Sequence, residues 1–505
     1  MKSRVKKQMR NRKWRLQNRL RRRQWQEHKR RLFGDQNIHY DYSEKTRAGR
    51  FGGLGVCRLL IQRLDLADAL DDHLHLLKRH LPYHESDHIL HLSYNILAGG
   101  STLADLDTLR NDDTYLDALG VPTVPDPTTA GDFLRRFQES DVKTLMEVIN
   151  DKRLLVWQQQ PPEFFDHAII DADGTMASTT GACKAGMDLG YKGVWGYHPL
   201  LVSLANTQEP LFLLNRPASR PSHEGAAPLL DQAAQLCRRA GFQKISFRGD
   251  TDFSQTQSLD GWDGQGIRFV FGIDAMANLV GLAESLPVAA WQRLQRPAAY
   301  EVKTQQRTRP VAVKEEVVKK KGYKNIRLVS EDVAEFNYRP GACKKEYRVV
   351  VLRKNLVEER GGQKVKDEVR YFFYISNERE WSAAEVVYFA NDRCNQENLI
   401  EQLKNGVKGM RLPVNTLEGN WAYMVIGALA WSIKVWLGLL QGRREHRQAL
   451  LSMEFKQFLH KWLLLAVQIV RSGRQMVYRV LQYNDWVPVL LATVDRLRQL
   501  RLSLN

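Results

Sequence analysis

The residues of this 505-residue chain best placed to do chemistry are carboxylates at the ends of apolar runs. The stretch FFDHAIIDADGTMAST, residues 164–179, passes from a β-prone segment into Asp171 and Asp173 and then into Gly174 and Thr175. Strand side chains alternate, so acids two apart point to one face if the strand runs through them. Asp250 ends a second such run, in SFRGDTDF, and Glu397 lies in a helical pattern, FANDRCNQENLIEQLKNG. Three carboxylates without His or Cys form an oxygen-rich anionic set. Hard cations such as Mg²⁺ take such ligands, keeping waters and accepting phosphate oxygens. Two ions roughly 3.5–4 Å apart can activate a water or a 3′-hydroxyl and stabilise the leaving oxygen of a phosphodiester. Without a cation the acids would repel. Taken singly, ADGT and GDTD are also good turns. What unites the pieces is their order, which is strand end, strand end, helix.

These acids need a sheet to position them. From residue 164 the chain reads as the strands FFDHAIIDAD, YHPLLVSLAN and PLFLLN, a helix at about 225–240, and the strands KISFRGD and IRFVFGI. A meander, a crossover helix and further strands describe a mixed α/β sheet, and ligands bind outside the carboxyl ends of such strands. Residues 276–368 read as a charged, strand-prone insertion, after which RYFFYIS (370–376) resumes the sheet. One long helix is expected at about 382–405, with helices over 415–505.

Ahead of the sheet, residues 55–155 show apolar residues recurring at three and four, with Ser86, Ser101 and Thr128 or Thr129 as N-caps. Short helices with Gly and Pro breaks are compatible with a helix-turn-helix module. Six histidines fall between His73 and His91, but Pro82 interrupts them and no Cys joins them, so a polar helix face is expected rather than a metal site. The apolar segment 421–440 carries Lys434 near its centre and reads as a buried core helix rather than a membrane span.

Net charge is +18, yet residues 1–31 hold 15 Lys/Arg against the single acid Glu27, leaving the rest close to neutral. That is a basic arm on an ordinary globular body, suited to gripping phosphates without choosing sequence. The arm reads as a solvated tail with nascent helix, and Trp14 and Trp25 are expected to pack. Five scattered cysteines without a CxxC pair support neither a disulfide framework nor a zinc ribbon, so a reducing cytoplasm is expected.

The order of acids resembles that of the RNase H-like DDE superfamily, and the local residues resemble insertion-sequence transposases. IDADGT is similar to their first-Asp motif, which selects Asp173, with Asp171 its companion. FRGDTDFS is similar to the second-Asp motif and selects Asp250 over Asp252. The helix resembles the motif that joins Tyr, Arg, Glu and Lys: Arg393 and Glu397 are four apart on one face, and Lys404 follows two turns on. The tyrosine's place is taken by Ala390, with Tyr388 and Phe389 nearby. YHPLLVSL, RPASRPSHEGAA, AGGSTLADLDTLRND and PDPTTAGDFLRRF are similar to the insertion-sequence group numbered thirteen-eighty.

The resemblance implies an α/β fold: an RNase H-like mixed sheet core with a strand-rich insertion domain, preceded by a helical DNA-binding region and followed by a helical C-terminal region. The units would be a basic arm (1–54), a helical DNA-binding domain (55–155), the catalytic core (160–275 and 369–440), the insertion (276–368) and a C-terminal region (441–505). Asp173, Asp250 and Glu397 would hold Mg²⁺, with Mn²⁺ substituting, supported by Asp171 and Glu401. Arg393, Lys404 and Arg248, with Arg21, Arg22 and Arg23 of the arm, would contact double-stranded DNA. The implied activity is cutting at the inverted-repeat ends of an element and joining the 3′ ends to target DNA, as a homodimer, in a bacterial cytoplasm at the nucleoid. Two alternatives stay open: a nuclease of the same fold without strand transfer, and a DNA-binding protein whose site has decayed. Asp173→Asn is expected to abolish catalysis and Asp171→Asn to be milder.

Overall fold

The computed structural model describes residues 3–23, 47–80, 82–296, 312–472 and 475–500. Its centre is a nine-stranded sheet. The strand order is Gln292–Arg293, Asn325–Tyr338, Tyr347–Arg360, Gln363–Ser376, Arg268–Ile273, Lys244–Gly249, His167–Gly174, Leu200–Leu204, Glu209–Leu214. The strand His167–Gly174 pairs antiparallel with Leu200–Leu204 on one side and parallel with Lys244–Gly249 on the other. Ala168, Ile170 and Ala172 of this strand are fully buried, so Asp171 and Asp173 take the alternate positions. The helix Ala226–Ala240 makes the crossover to Lys244–Gly249. That strand is buried over its last five residues, as a parallel strand covered on both faces must be.

The insertion is an extension of this same sheet. Strand Gln363–Ser376 runs unbroken through the expected boundary at 368, and its last four residues pair with Arg268–Ile273. Part of the block read as strand-prone, Val313–Lys321, is a helix instead. Its run of Glu and Lys is a good helix former and outweighs the valines.

The apolar segment forms helix Leu417–Leu439, long and apolar enough to cross a membrane by length and composition, and buried from Gly419 to Leu439. Three of its tryptophans fasten it to the sheet edge. The indole N–H groups of Trp421, Trp431 and Trp436 donate to the Leu213 carbonyl, the Gln208 carbonyl and the Glu209 carboxylate. Glu209 also pairs with Arg153 of helix Glu139–Trp157 at 3.0 Å, both side chains being wholly buried. Lys434 donates to the Leu451 carbonyl with its ammonium 4.0 Å from the Trp431 ring, and burial lowers its pKa to about 7.

Seven helices from Leu54 to Trp157 form the preceding region. Their caps differ from expectation. Asp126, not Thr128 or Thr129, caps Pro127–Leu134, accepting from both threonine N–H groups, since Pro127 sets the first helical position. Ser86 lies inside Glu85–Leu97 and donates to Asp71. Ser101 donates its N–H to Asp105 in the turn before Asp105–Arg110. The histidines divide: His80 and His84 stack at 4.3 Å on the surface, whereas His88 stacks on Phe133 and His91 meets the Tyr115 hydroxyl in the core.

The C-terminal region is not all helical. Val467–Ser472 and Gln475–Val480 form a hairpin that pairs with Ala48–Gly49. VQIV and QMVYRV alternate at a period of two, a strand pattern that the flanking helices masked. The Gly52 and Gly53 N–H groups donate to Leu465 and Leu463 carbonyls, so the two ends of the chain form one body. The arm is a helix over Ser3–Arg23 rather than an unstructured tail, and Trp14 is 64% exposed rather than packed. Trp25 lies outside the described residues.

Candidate active site

Asp173 stands at the carboxyl end of its strand, and Asp250 follows the neighbouring parallel strand, capping a short turn by accepting the Asp252 N–H. Opposite them the expected long helix is broken into Ala383–Asn391 and Cys394–Glu401, and Arg393 sits at the break. Glu397 is in the first turn of the second helix, with its side chain 63% exposed. From the junction, Arg393 reaches all three acids. Its guanidinium lies 3.0 Å from Asp173, 3.8 Å from Asp250 and 4.0 Å from Glu397. The residues chosen from scattered motifs therefore converge around one positive group.

Burial raises the Asp173 pKa to about 6, against the pull of Arg393, with Asp250 and Glu397 adding to the rise. Asp250 is raised too, by burial first and opposed by Arg393, with Asp252 and Glu397 adding to the rise. Burial alone would lower Arg393, but Asp173, Asp250 and Glu397 together raise it. The cluster is thus a set of repelling acids in a poorly solvated notch, partly neutralised from within. Among the described residues no group of three or more Asp, Glu, His or Cys side chains is arranged to hold a metal ion. Arg393 occupies the space between the oxygens. The donor set itself is all carboxylate, as hard divalent cations require, and it already converges on positive charge.

Asp171 has a different partner. Its carboxylate accepts two hydrogen bonds from Arg248, from Nε at 2.7 Å and Nη2 at 2.9 Å, while Arg248 Nη1 donates to the Phe389 carbonyl. Both side chains are almost fully buried, and the Phe389 ring lies 4.8 Å from the guanidinium. Arg248 is therefore committed to an internal carboxylate and presents nothing to DNA, which corrects its assignment as a phosphate contact. Asp171 likewise reaches the cluster only through charge.

Lys404 lies in a π-helical stretch, Gln402–Gly406, so the two-turn spacing from Glu397 is underwound locally; such bulges concentrate at functional sites. Burial lowers its pKa, offset by Glu401, with Lys192 lowering it further and Asp173 opposing. Glu401 accepts from Asn405 within the same turn. Tyr388 donates its hydroxyl to the Gln295 carbonyl, away from the acids, so no tyrosine stands beside Arg393 in the motif's manner. Arg21 is exposed on the arm helix, and the side chains of Arg22 and Arg23 lie outside the described set.

Two residues absent from the sequence reading help build the site. Gln396 donates to the Asp171 and Leu201 carbonyls, clamping the Glu397 helix onto the sheet. His198, buried and donating from Nδ1 to the Arg220 carbonyl, backs the strand end so closely that a Cβ on Gly174 would lie 2.9 Å from its ring. Gln396 carries no periodic signal, whereas His198 is visible as the polar member of YHPLL.

Among solved structures, a piggyBac transposase synaptic complex with hairpin DNA, determined by cryo-EM, matches 90% of this chain and 88% of its own. Identity is 10% and the TM-score 0.37, too loose a superposition to fix a shared topology. No curated protein matches. The family model described as "Transposase DDE domain group 1" matches residues 49–502, nearly the whole chain, and the chain belongs to that family of DDE transposases.

Proposed function

We propose that this DDE transposase cuts DNA at the inverted-repeat ends of an insertion sequence of the thirteen-eighty group and joins the 3′ ends to target DNA. The observation that carries the reading is the convergence of Asp173, Asp250 and Glu397 on Arg393 at the carboxyl ends of two parallel strands. The meander, crossover helix and added parallel strands support an RNase H-like core, with either residues 55–155 or the sheet extension as the module that reads the end sequence.

In this reading Asp173, Asp250 and Glu397 are the ligands of Mg²⁺, or of Mn²⁺ in its place. When bound, the divalent ions would activate the attacking oxygen and neutralise the leaving one. The protein's own part is to hold three carboxylates together at the sheet's edge, Asp173 the most buried of them, and to supply a counter-charge when the metal is absent. Arg393 is that counter-charge. With a metal bound, Arg393 would be available to grip a phosphate, as would Lys404, while Arg21, Arg22 and Arg23 of the arm would hold the duplex backbone. A second copy of the chain would bring the two element ends together. Asp171, with Arg248, fixes the strand beneath.

The test incubates the protein with Mg²⁺, a labelled end duplex and target DNA, comparing wild type with Asp250→Ala. Wild type should nick the end and join it, with the variant down about a thousandfold or more. Hydrolysis without joined product would favour a nuclease of the same fold. Equal nicking by both proteins would remove the mechanism.

A further inference from the structure

Four residues after Asp173 the chain enters a small antiparallel sheet formed by Ala177–Ser178, Asp188–Leu189 and Trp195–Tyr197. Its base is clamped to the body. Lys184 donates to the Leu412 and Val414 carbonyls, the Ala185 N–H to Asn415, and the Tyr197 hydroxyl to Ala185. The strands pack so tightly that a Cβ on Gly196 would sit 2.2 Å from the Ala177 oxygen. From this base a hairpin projects. Its tip turns through Gly190–Gly193, closed by Gly193 N–H donating to the Gly190 carbonyl, with Gly193 at a φ of +70°.

The tip carries what a soluble surface ordinarily hides. Tyr191 is 78% exposed and Trp195 51%, and Leu189, the cross-strand partner of Trp195, is 45% exposed. Lys192 lies 5.2 Å from the Tyr191 ring. The element that bears this aromatic surface grows from the Asp173 strand itself, entering its first strand four residues beyond that acid. Exposed rings with a lysine beside one of them offer a stacking face and a phosphate contact together, the combination that holds unpaired nucleotides.

We propose that the Asp188–Tyr197 hairpin is a stacking platform for an unpaired nucleobase next to the phosphodiester seated at the acid cluster, with Trp195 as its main face, Tyr191 as a second and Lys192 on the adjoining phosphate. This rests on the reading of the acids as a DNA-cutting site and names how the strand is held there. Stacking accepts any base, so the platform discriminates unpaired from paired DNA rather than one sequence from another.

The experiment measures binding, without divalent metal, to two probes: a blunt duplex and the same duplex with a short single-stranded overhang bearing 2-aminopurine. Wild type should bind the overhang probe more tightly and quench its fluorescence. Trp195→Ala should lose about tenfold on that probe and most of the quenching, with blunt-duplex affinity and melting temperature unchanged. Tyr191→Ala should lose less, and Trp195→Phe should restore most of the quenching. Equal weakening on both probes, or no change on either, would overturn the platform while leaving the cutting site intact. If Trp195→Ala instead alters self-association in the absence of DNA, the face is a contact between copies and the proposal fails. Wild type that binds neither probe would overturn both the platform and the reading beneath it.

Discussion

Asp171 and Asp173 leave the same strand with a single alanine between them, and each meets an arginine, yet the two pairs are built differently. The Asp171–Arg248 pair is closed: two hydrogen bonds at 2.7 and 2.9 Å, a third guanidinium bond to the Phe389 carbonyl, and no exposure beyond 3%. Arg393 is shared among three acids, and only Asp173, at 3.0 Å, is within hydrogen-bonding distance. The origin of each arginine explains the difference. Arg248 comes from the neighbouring strand, directly opposite Asp171 in the parallel register, so the pair is fixed by the same ladder that makes the sheet. Arg393 comes from a break between two helices, where a side chain can turn without cost to the fold. One carboxylate is locked in a two-bond pair, and the next shares its arginine with two other acids.

The sharpest break in the comparison is to remove one partner from each pair. Asp171→Asn should destabilise the protein by about 3–5 kcal/mol in chemical denaturation, because it strands a buried guanidinium. The double change Asp171→Leu with Arg248→Met should recover much of the loss, since apolar residues need no partner there.

Asp173→Asn should move stability the other way. The fold raises the Asp173 pKa from its usual 3.8 to about 6, so the folded chain holds a proton that the unfolded chain has released across that interval. Stability from this group is therefore greatest at low pH and falls as pH rises through 6. In metal-free buffer at neutral pH the variant should be about 1–3 kcal/mol more stable than wild type, and the gain should vanish toward pH 4. A constant difference across that range would place the cost elsewhere than on the carboxylate's charge.

Legibility in the sequence followed how local each signal was. Asp173 and Asp250 were readable because each ends an apolar strand, and Arg393 with Glu397 because four residues make one helical face. The partner of Asp171 was not, since it depends on a parallel register between strands 77 residues apart, set by packing rather than by either strand alone. The helix break at Arg393 and the π-helical turn at Lys404 were hidden for a related reason: no Gly or Pro marks the break, and tertiary contact imposes both. The hairpin Val467–Ser472 with Gln475–Val480 was missed although its alternation is plain, because helical patterns surround it. The insertion was recognised, but only the pairing of Gln363–Ser376 with Arg268–Ile273 reveals that it prolongs the core sheet.

We propose that the three carboxylates form one cation site, for which Arg393 is the counter-charge when no metal is bound. Calorimetric titration of Mn²⁺ into the full-length protein tests this without any DNA. Wild type should bind, Arg393→Gln should bind about tenfold more tightly because no internal cation competes, and Asp250→Ala should lose most of the affinity. If Arg393→Gln binds no better than wild type, or Asp250→Ala binds as well, the acids and Arg393 do not form the exchangeable site described.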